Sequence, residues 1–312
     1  MNEYPDIAGP SVDSDPVLAQ LLEQLRARHN DAICCTLLYG SCLRSGDIYD
    51  GLLDLYLICD NYRAAYGNRF MAGANWLLPP NVFYAETTLE GRTLRSKVTM
   101  ISLRDFQRGC SKAWFQSYLW GRFSQPTRLL YCRDQQARRD VKNALLGAAR
   151  TFLDNAAPAL PDSGSVCTLW EQALNLSYAT ELRTERDGRA AELVAAARDF
   201  YCAMTRAHAD SLSFDFAVHD ADGELHYRSQ MNTMRRRWGA WSWALRRGQG
   251  KMLSILRLIK ALFTFEGGLD YIAWKLERHS GEEIQIPDKV RRAPLIYMWG
   301  YYWDLYRRGI FK

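Results

Sequence analysis

This 312-residue chain lacks several features, and each absence closes off a class of protein. No apolar run approaches the ~18–20 residues that a membrane-spanning helix needs. No Cys-x-x-Cys pair occurs and no histidines cluster near the eight scattered cysteines, which argues against a zinc site. Most of these cysteines lie in apolar runs and read as reduced core residues. Cys42, beside a Gly-Ser turn, is the candidate for exposure. The stretch from Met1 to Asp15 is acidic and contains proline. It has neither the basic and apolar regions of a secretory leader nor the Arg-rich amphipathic character of a transit peptide. The expectation is a cytoplasmic protein. There is no internal repeat and no low-complexity tract.

Hydrophobic residues make up 48% of the chain, ample for a core, and the net charge is +5. The placement of that charge matters more than its size. Arg235-Arg236-Arg237-Trp238, Trp241, Trp243 and Arg246-Arg247 form a dense basic-aromatic patch. Arg291-Arg292 and the tail from Tyr297 to Lys312 repeat the theme. Tryptophan and tyrosine interleaved with arginine suit an anionic membrane surface. They also suit nucleic acid.

Apolar spacing predicts a first helix over Pro16 to His29. Two buried strands follow, Ile33 to Tyr39 and Leu52 to Ile58, and then a strand pair, Asn81 to Leu89 and Leu94 to Ile101, turning at Glu90-Gly91. Ser102 to Asp105 reads as a capped start for a helix running to about Arg122, with Asp105 structural there. Arg128 to Cys132 is a short last strand. From Gln135 the character turns helical. Helices are expected over 140–154, 167–184, 189–209, 251–265 and 269–279. A Pro-Ser-Gly linker is expected over 155–165, and a hairpin turns at Asp222-Gly223.

The first strand ends at Gly40-Ser41, and the second carries Asp54 between leucines. A strand, a Gly-Ser turn and a strand presenting an acid form the skeleton of a nucleotidyl-transfer site: the turn meets a triphosphate and the acid holds Mg²⁺. A lone carboxylate in an apolar strand is costly without a partner. The bland alternative is that Asp54 pairs with an arginine. Two metal-holding acids at i and i+2 are usual, but position i+2 is Tyr56. Asp60 lies roughly 20 Å away along the strand and more readily ends it or meets substrate. Asp47, Asp50 and Glu86 remain open as the second carboxylate. Lys97, inside an apolar strand, either contacts phosphate or pairs with Glu86 or Asp54. Arg122 either complements a helix C-terminus or clamps phosphate.

In these residues the chain resembles the mitochondrial-type phosphatidate cytidylyltransferases, the translocator assembly and maintenance proteins. The match begins at Tyr39-Gly40-Ser41 and Leu53-Asp54-Leu55, where the family also carries a single acid with an apolar residue two further on, and Asp60 falls where the family tends to carry an acid after the strand. Lys97 with Met100-Ile101-Ser102 resembles its Lys-Tyr-Gly-Val-hydrophobic-Ser segment. Asp105, Trp114, Tyr118, Gly121-Arg122 and Gln125-Pro126 resemble its Asp-Leu…Trp…Leu-Tyr…Gly-Arg-…-Lys-Pro run. Leu176-Ser177-Tyr178 with Glu181 and Arg183 resembles its Leu-Ser-Tyr-x-Gly-Asp-x-Arg motif. The basic stretch from Lys251 to Lys260, with Thr264, Gly267 and Gly268, resembles its C-terminal end. One segment departs: the family's Asn-x-x-x-Asn-Pro-x-His-Tyr-Ser stretch is replaced by Tyr62 to Leu78. That departure bears on nucleotide and lipid specificity more than on the transfer chemistry.

The resemblance implies a polymerase-β-like α/β nucleotidyltransferase domain with a mixed sheet over residues 1–135, then a helical, basic-aromatic domain over 136–312. It implies Mg²⁺-dependent transfer from CTP to phosphatidate, giving CDP-diacylglycerol and pyrophosphate. Asp54, Lys97 and Arg122 are the expected catalytic residues, and Asp54 with Glu86 the expected metal ligands. Gly40, Ser41, Ser177, Tyr178 and Arg183 are expected at the nucleotide. Arg235, Arg236, Arg237, Trp238, Trp241, Lys251, Arg257 and Lys260 are expected to face an anionic membrane, peripherally at its inner side, with no nucleic acid partner. Two other readings stand beside it: transfer to RNA or another soluble acceptor, and a non-catalytic nucleotide-binding relative.

Overall fold

The computed structural model describes residues 3–5, 7, 15–49, 51–182 and 186–265, with short stretches and single positions between 269 and 307. The protein is α/β. Five strands, β1 (Ile33–Tyr39), β2 (Leu53–Cys59), β3 (Asn81–Leu89), β4 (Arg92–Ser102) and β5 (Arg128–Cys132), form one mixed sheet in the order β3-β4-β2-β1-β5. β2 and β4 are parallel, and the other neighbours are antiparallel.

Successive side chains of a strand point to opposite faces. Leu53, Leu55 and Leu57 of β2 therefore join a core under helix α1 (Pro16–Arg28), together with Leu18, Leu21 and Leu25. Tyr56 and Ile58 face the other way, into a larger core with Phe106, Phe123, Phe152 and Trp170. That larger core holds residues from both sides of Gln135. Asp15 starts α1 by accepting from the backbone N–H groups of Val17 and Leu18, with Pro16 in the first turn.

Between the strands lie α2 (Ser41–Ser45), α3 (Tyr62–Tyr66) and α4 (Arg69–Leu77). After β4, Ser102 caps α5 (Leu103–Gly109) by accepting from the Asp105 N–H, as its sequence predicts. The helix does not continue to Arg122. It ends at Cys110, where the Ser111 hydroxyl bonds the Arg108 carbonyl and accepts from the Ala113 N–H. Local side-chain bonds of this kind compete with the helical ladder. Helix resumes only as α6 (Trp120–Phe123), and this break is what brings Arg122 back over the sheet.

The later half contains α7 (Gln135–Ala156), β6 (Ser163–Ser165), α8 (Val166–Tyr178), α9 (Arg189–Ala196), α10 (Arg198–His208), β7 (Asp215–Ala221), β8 (Glu224–Gln230) and α11 (Thr233–Thr264). β7 and β8 form the expected hairpin, and β6, where the sequence suggests only linker, adds to β8 as a third strand. The basic-aromatic patch and the helix expected from Lys251 are one 32-residue helix, α11. Gly248 and Gly250 do not interrupt it, because the face that carries Trp243 and Arg246 is anchored. The Trp243 indole donates to the Asn155 carbonyl at 2.8 Å, and Arg246 donates to the Phe115 carbonyl at 2.9 Å. The helix expected over 269–279 and the basic tail lie largely outside the described residues. Among the described residues no helix is long and apolar enough to cross a membrane.

Candidate active site

Strand register builds the centre of the site. Tyr39 of β1 sits opposite Asp54 of β2, and Asp54 sits beside Lys97 of β4 in the parallel register. The Lys97 ammonium consequently lies 3.7 Å from Asp54 Oδ1. The Asp54 carboxylate leans on the turn after β1. Gly40 has φ +92° and ψ −156°, a conformation open essentially to glycine alone. A Cβ there would lie 2.7 Å from Asp54 Oδ2. Ser41 follows at the start of α2.

The opposite wall comes from α6, α8 and α9. Arg122 donates to the Tyr56 hydroxyl at 3.1 Å, approaches Glu181 Oε1 at 3.4 Å and lies over the Tyr118 ring, 4.5 Å from its centroid. Tyr56 thus fills the position of the missing second acid and holds a cation instead. Burial raises the pKa of the Tyr39 and Tyr56 phenols, which keeps them neutral.

Together these groups enclose a cleft of about 540 Å³. Gly40, Ser41, Asp54, Lys97, Arg122, Ser177 and Tyr178 all line it, so seven residues singled out from the sequence meet in one place. Arg183 lies outside the described residues, as does Asp50. Arg44 and Arg189 also line the cleft and carry no motif of their own. Their only sequence signal is position: Arg44 stands one helical turn after Ser41, and Arg189 follows Gly188.

Glu86 is not brought to Asp54. It lies two strands away at the sheet edge, roughly 10 Å laterally at the usual strand spacing. There it accepts from the Tyr84 hydroxyl at 2.6 Å and neighbours Arg95 at 3.5 Å. It cannot share a metal ion with Asp54, because a shared ion needs both carboxylates within its first coordination sphere. Asp60 is held by two hydrogen bonds from Arg133, at 2.7 and 3.0 Å. Asp105 accepts from the Tyr62 hydroxyl at 2.7 Å, in keeping with its structural assignment. Asp47 accepts from the Tyr49 N–H at 2.8 Å and does not line the cleft. Cys42 is buried, its thiol directed at the Leu52 carbonyl, and offers no exposed nucleophile.

Among the described residues no three His, Cys, Asp or Glu side chains converge as a metal cluster. Magnesium does not need one. It is commonly held by one or two carboxylates together with substrate phosphates and water. Asp54, seated against Gly40 and open to the cleft, fits that smaller donor set.

The predicted lipid-facing residues divide. Arg235 donates to the Ser213 carbonyl at 2.7 Å, and Arg236 pairs with Asp162. Arg257 donates to Gln116 and to the Pro79 carbonyl, and Lys260 to the Leu78 and Pro80 carbonyls. These four are committed inside the molecule. Arg237, Trp238, Trp241 and Lys251 are exposed. The outward face of α11 is mostly apolar, with Met234, Trp238, Trp241, Met252, Ile259 and Phe263 recurring at helical spacing. Trp76 and Leu77, at the end of α4, are also exposed. In comparisons with known proteins, no family model matches the chain and no curated protein matches it significantly.

Proposed function

We propose that this protein is a polymerase-β-like, Mg²⁺-dependent nucleotidyltransferase that transfers the cytidylyl group of CTP to phosphatidate, releasing pyrophosphate and forming CDP-diacylglycerol. One observation carries the proposal. Gly40, Ser41, Asp54, Lys97 and Arg122 line one cleft with Ser177 and Tyr178, which come from the far half of the chain. A cleft that sets Arg44, Lys97, Arg122 and Arg189 and several hydroxyls against two carboxylates, Asp54 and Glu181, is suited to a metal–triphosphate complex.

In this reading Gly40 and Ser41 receive the terminal phosphates and Asp54 holds the metal. Magnesium, when bound, would supply charge neutralisation on the phosphates. A phosphate oxygen of the acceptor attacks the α-phosphorus in line. The new P–O bond forms as the bond to the bridging oxygen breaks, and that electron pair leaves with pyrophosphate. The attacking group is already anionic, so no strong base is required. Lys97 and Arg122 offset the charge that accumulates, and Tyr56 and Glu181 fix the direction of the Arg122 guanidinium. Ser177 and Tyr178 form part of the nucleotide wall.

The outward face of α11 serves as the docking surface at the inner face of an anionic membrane. Trp238 and Trp241 enter the headgroup region while Arg237 and Lys251 meet anionic lipid. The test is purified protein with Mg²⁺, phosphatidate in detergent micelles and labelled CTP, with Asp54→Ala alongside. CDP-diacylglycerol from the wild type alone supports the proposal. Transfer from another nucleotide, or to another acceptor, discards the lipid assignment.

A further inference from the structure

A groove runs between α4 and the last turns of α11. It encloses about 450 Å³, within the range of ligand-sized pockets, and Arg69, Phe70, Gly73, Leu77, Lys260 and Phe263 line it with no acid among them. Its walls are tied together by the protein itself. Lys260 donates to the Leu78 and Pro80 carbonyls, and Arg257, one turn earlier on α11, donates to the Pro79 carbonyl. Phe70, Leu77 and Phe263 nevertheless stand 62%, 77% and 61% exposed. Trp76, beside them on α4, is 72% exposed. Large apolar side chains gathered in the open like this mark a contact surface.

Charge and continuity identify the occupant. Residues 61–80 and 233–264, which supply both walls, contain no Asp or Glu. Arg63, Arg69, Arg237, Arg247 and Lys251 stand exposed along them. An apolar groove framed by cations complements a molecule with an apolar chain and an anionic head. The groove also continues the outer face of α11. Trp238, Trp241, Leu245, Met252, Ile259 and Phe263 recur at spacings of three, four and seven, on one line along the helix. That line runs roughly 38 Å from Trp238 to Phe263 at the usual helical rise. A bilayer lying flat along α11 therefore meets the groove and the two tryptophans together. The Arg257 guanidinium lies 4.1 Å from the centroid of the Tyr118 ring, which also carries Arg122 of the cleft. Arg257 and Tyr118 thus link the groove wall to the candidate active site.

We propose that the α4–α11 groove receives one acyl chain of a glycerophospholipid from an anionic bilayer, which makes α4 a second insertion element beside the tryptophans of α11. Phe70, Trp76 and Leu77 enter the apolar layer, and the chain lies between α4 and Phe263. Arg63 and Arg69 keep their charged ends at the headgroups. Gly73 leaves the room: a Cβ there would meet nothing within 4 Å. The proposal rests on the membrane-docking reading of the α11 outer face, and on neither CTP nor the transfer step.

The experiment mixes the full chain with vesicles of phosphatidylcholine and phosphatidylglycerol, with and without bromine on the acyl chains. Bromine quenches tryptophan at contact, and the difference between wild type and Trp76→Phe isolates Trp76. The groove predicts that brominated chains quench Trp76. Phe70→Ala with Leu77→Ala should lower vesicle affinity at least about 10-fold at an unchanged melting midpoint, because both side chains are exposed. Gly73→Leu fills the groove. It should lower vesicle affinity about 3- to 10-fold and reduce the quenching of Trp76, although it adds apolar surface. If Gly73→Leu fails to fold, Gly73→Met replaces it with the same expectation. A Gly73→Leu protein that binds vesicles as well as wild type, with Trp76 still quenched, shows insertion without capture of a chain and overturns the proposal. So does an unquenched Trp76 in wild type that still pellets through Trp238 and Trp241, and the membrane reading then stands alone. Wild type that pellets with no vesicle overturns both. A dimer in sedimentation that Phe70→Ala with Leu77→Ala dissociates, with Trp76 unquenched, puts a second copy over the groove and also overturns the proposal. These readouts use no nucleotide, so failure of the transfer assay leaves them intact.

Discussion

Replacing Gly40 with alanine should damage the cleft in two separable ways. The first is backbone strain. At φ +92° and ψ −156° a residue with a Cβ is held in a region that costs of the order of 1–3 kcal/mol. The second is steric and local: the new Cβ would sit 2.7 Å from Asp54 Oδ2, well inside van der Waals contact. The cheapest relief is rotation of the Asp54 carboxylate, which pulls it from its seat beside Lys97. Gly91, in the β3–β4 turn, supplies the comparison. It also has positive φ, at +76°, but a Cβ there would meet nothing within 4 Å, so Gly91→Ala carries only the backbone cost. For a chain of this size each kcal/mol lowers the melting midpoint by about 2–4 °C, so Gly40→Ala should melt about 2–12 °C lower. Gly91→Ala should fall within the lower part of that range and retain wild-type affinity for Mg²⁺·CTP. Gly40→Ala should lose that affinity. Differential scanning fluorimetry and nucleotide titration read the two effects independently. Wild-type melting and nucleotide affinity in Gly40→Ala would refute both the strain and the role assigned to the Asp54–Gly40 contact.

Other outcomes follow from the same geometry. Tyr56→Phe removes the hydroxyl that accepts from Arg122 while conserving core volume, and should lower kcat/KM about 3- to 10-fold with little change in melting; an unchanged rate would mean that Glu181 and Tyr118 suffice to orient Arg122. Trp238→Ala with Trp241→Ala should weaken pelleting with anionic vesicles at least about 10-fold, whereas Arg235→Ala with Arg236→Ala should not, because those arginines are spent on Ser213 and Asp162. The opposite ranking would contradict the assignment of the α11 outer face. Burial, and then Arg257, lower the Lys260 pKa from its ordinary value to about 7. The unfolded chain therefore binds more protons than the folded one between pH 7 and the ordinary lysine range. Lys260 should make stability rise with pH across that window and contribute no slope below it. Denaturant melts of wild type and Lys260→Met across the window should differ in slope, and parallel profiles would refute the shift.

The strands and the cleft centre are legible in the sequence because they are set by period-2 burial and by one turn. The Gly40-Ser41 turn, Asp54 in an apolar strand and Lys97 in another lead directly to a site once β2 and β4 pair in parallel. Tyr56 is legible only as a missing acid; that it holds Arg122 depends on the break after Gly109, which is fixed by Ser111 rather than by any hydrophobic period. Glu86 illustrates the limit from the other side. Its strand is plain from the local pattern, but strand order, which decides its distance from Asp54, is a long-range property. The basic-aromatic patch reads as a uniform surface in sequence. Its division into committed and exposed cations follows from carbonyls at Leu78–Pro80, Leu160 and Ser213, which no local pattern announces.

The central claim is transfer of the α-phosphorus of CTP onto a lipid phosphate in the cleft around Asp54. Parallel reactions with α-labelled and γ-labelled CTP, each with phosphatidate micelles and Mg²⁺, test it most directly. The account predicts that the α label moves into the lipid fraction as CDP-diacylglycerol, that the γ label appears only as pyrophosphate, and that Asp54→Ala does neither. Label released without entering lipid, or α-label transfer that persists in Asp54→Ala, would contradict it.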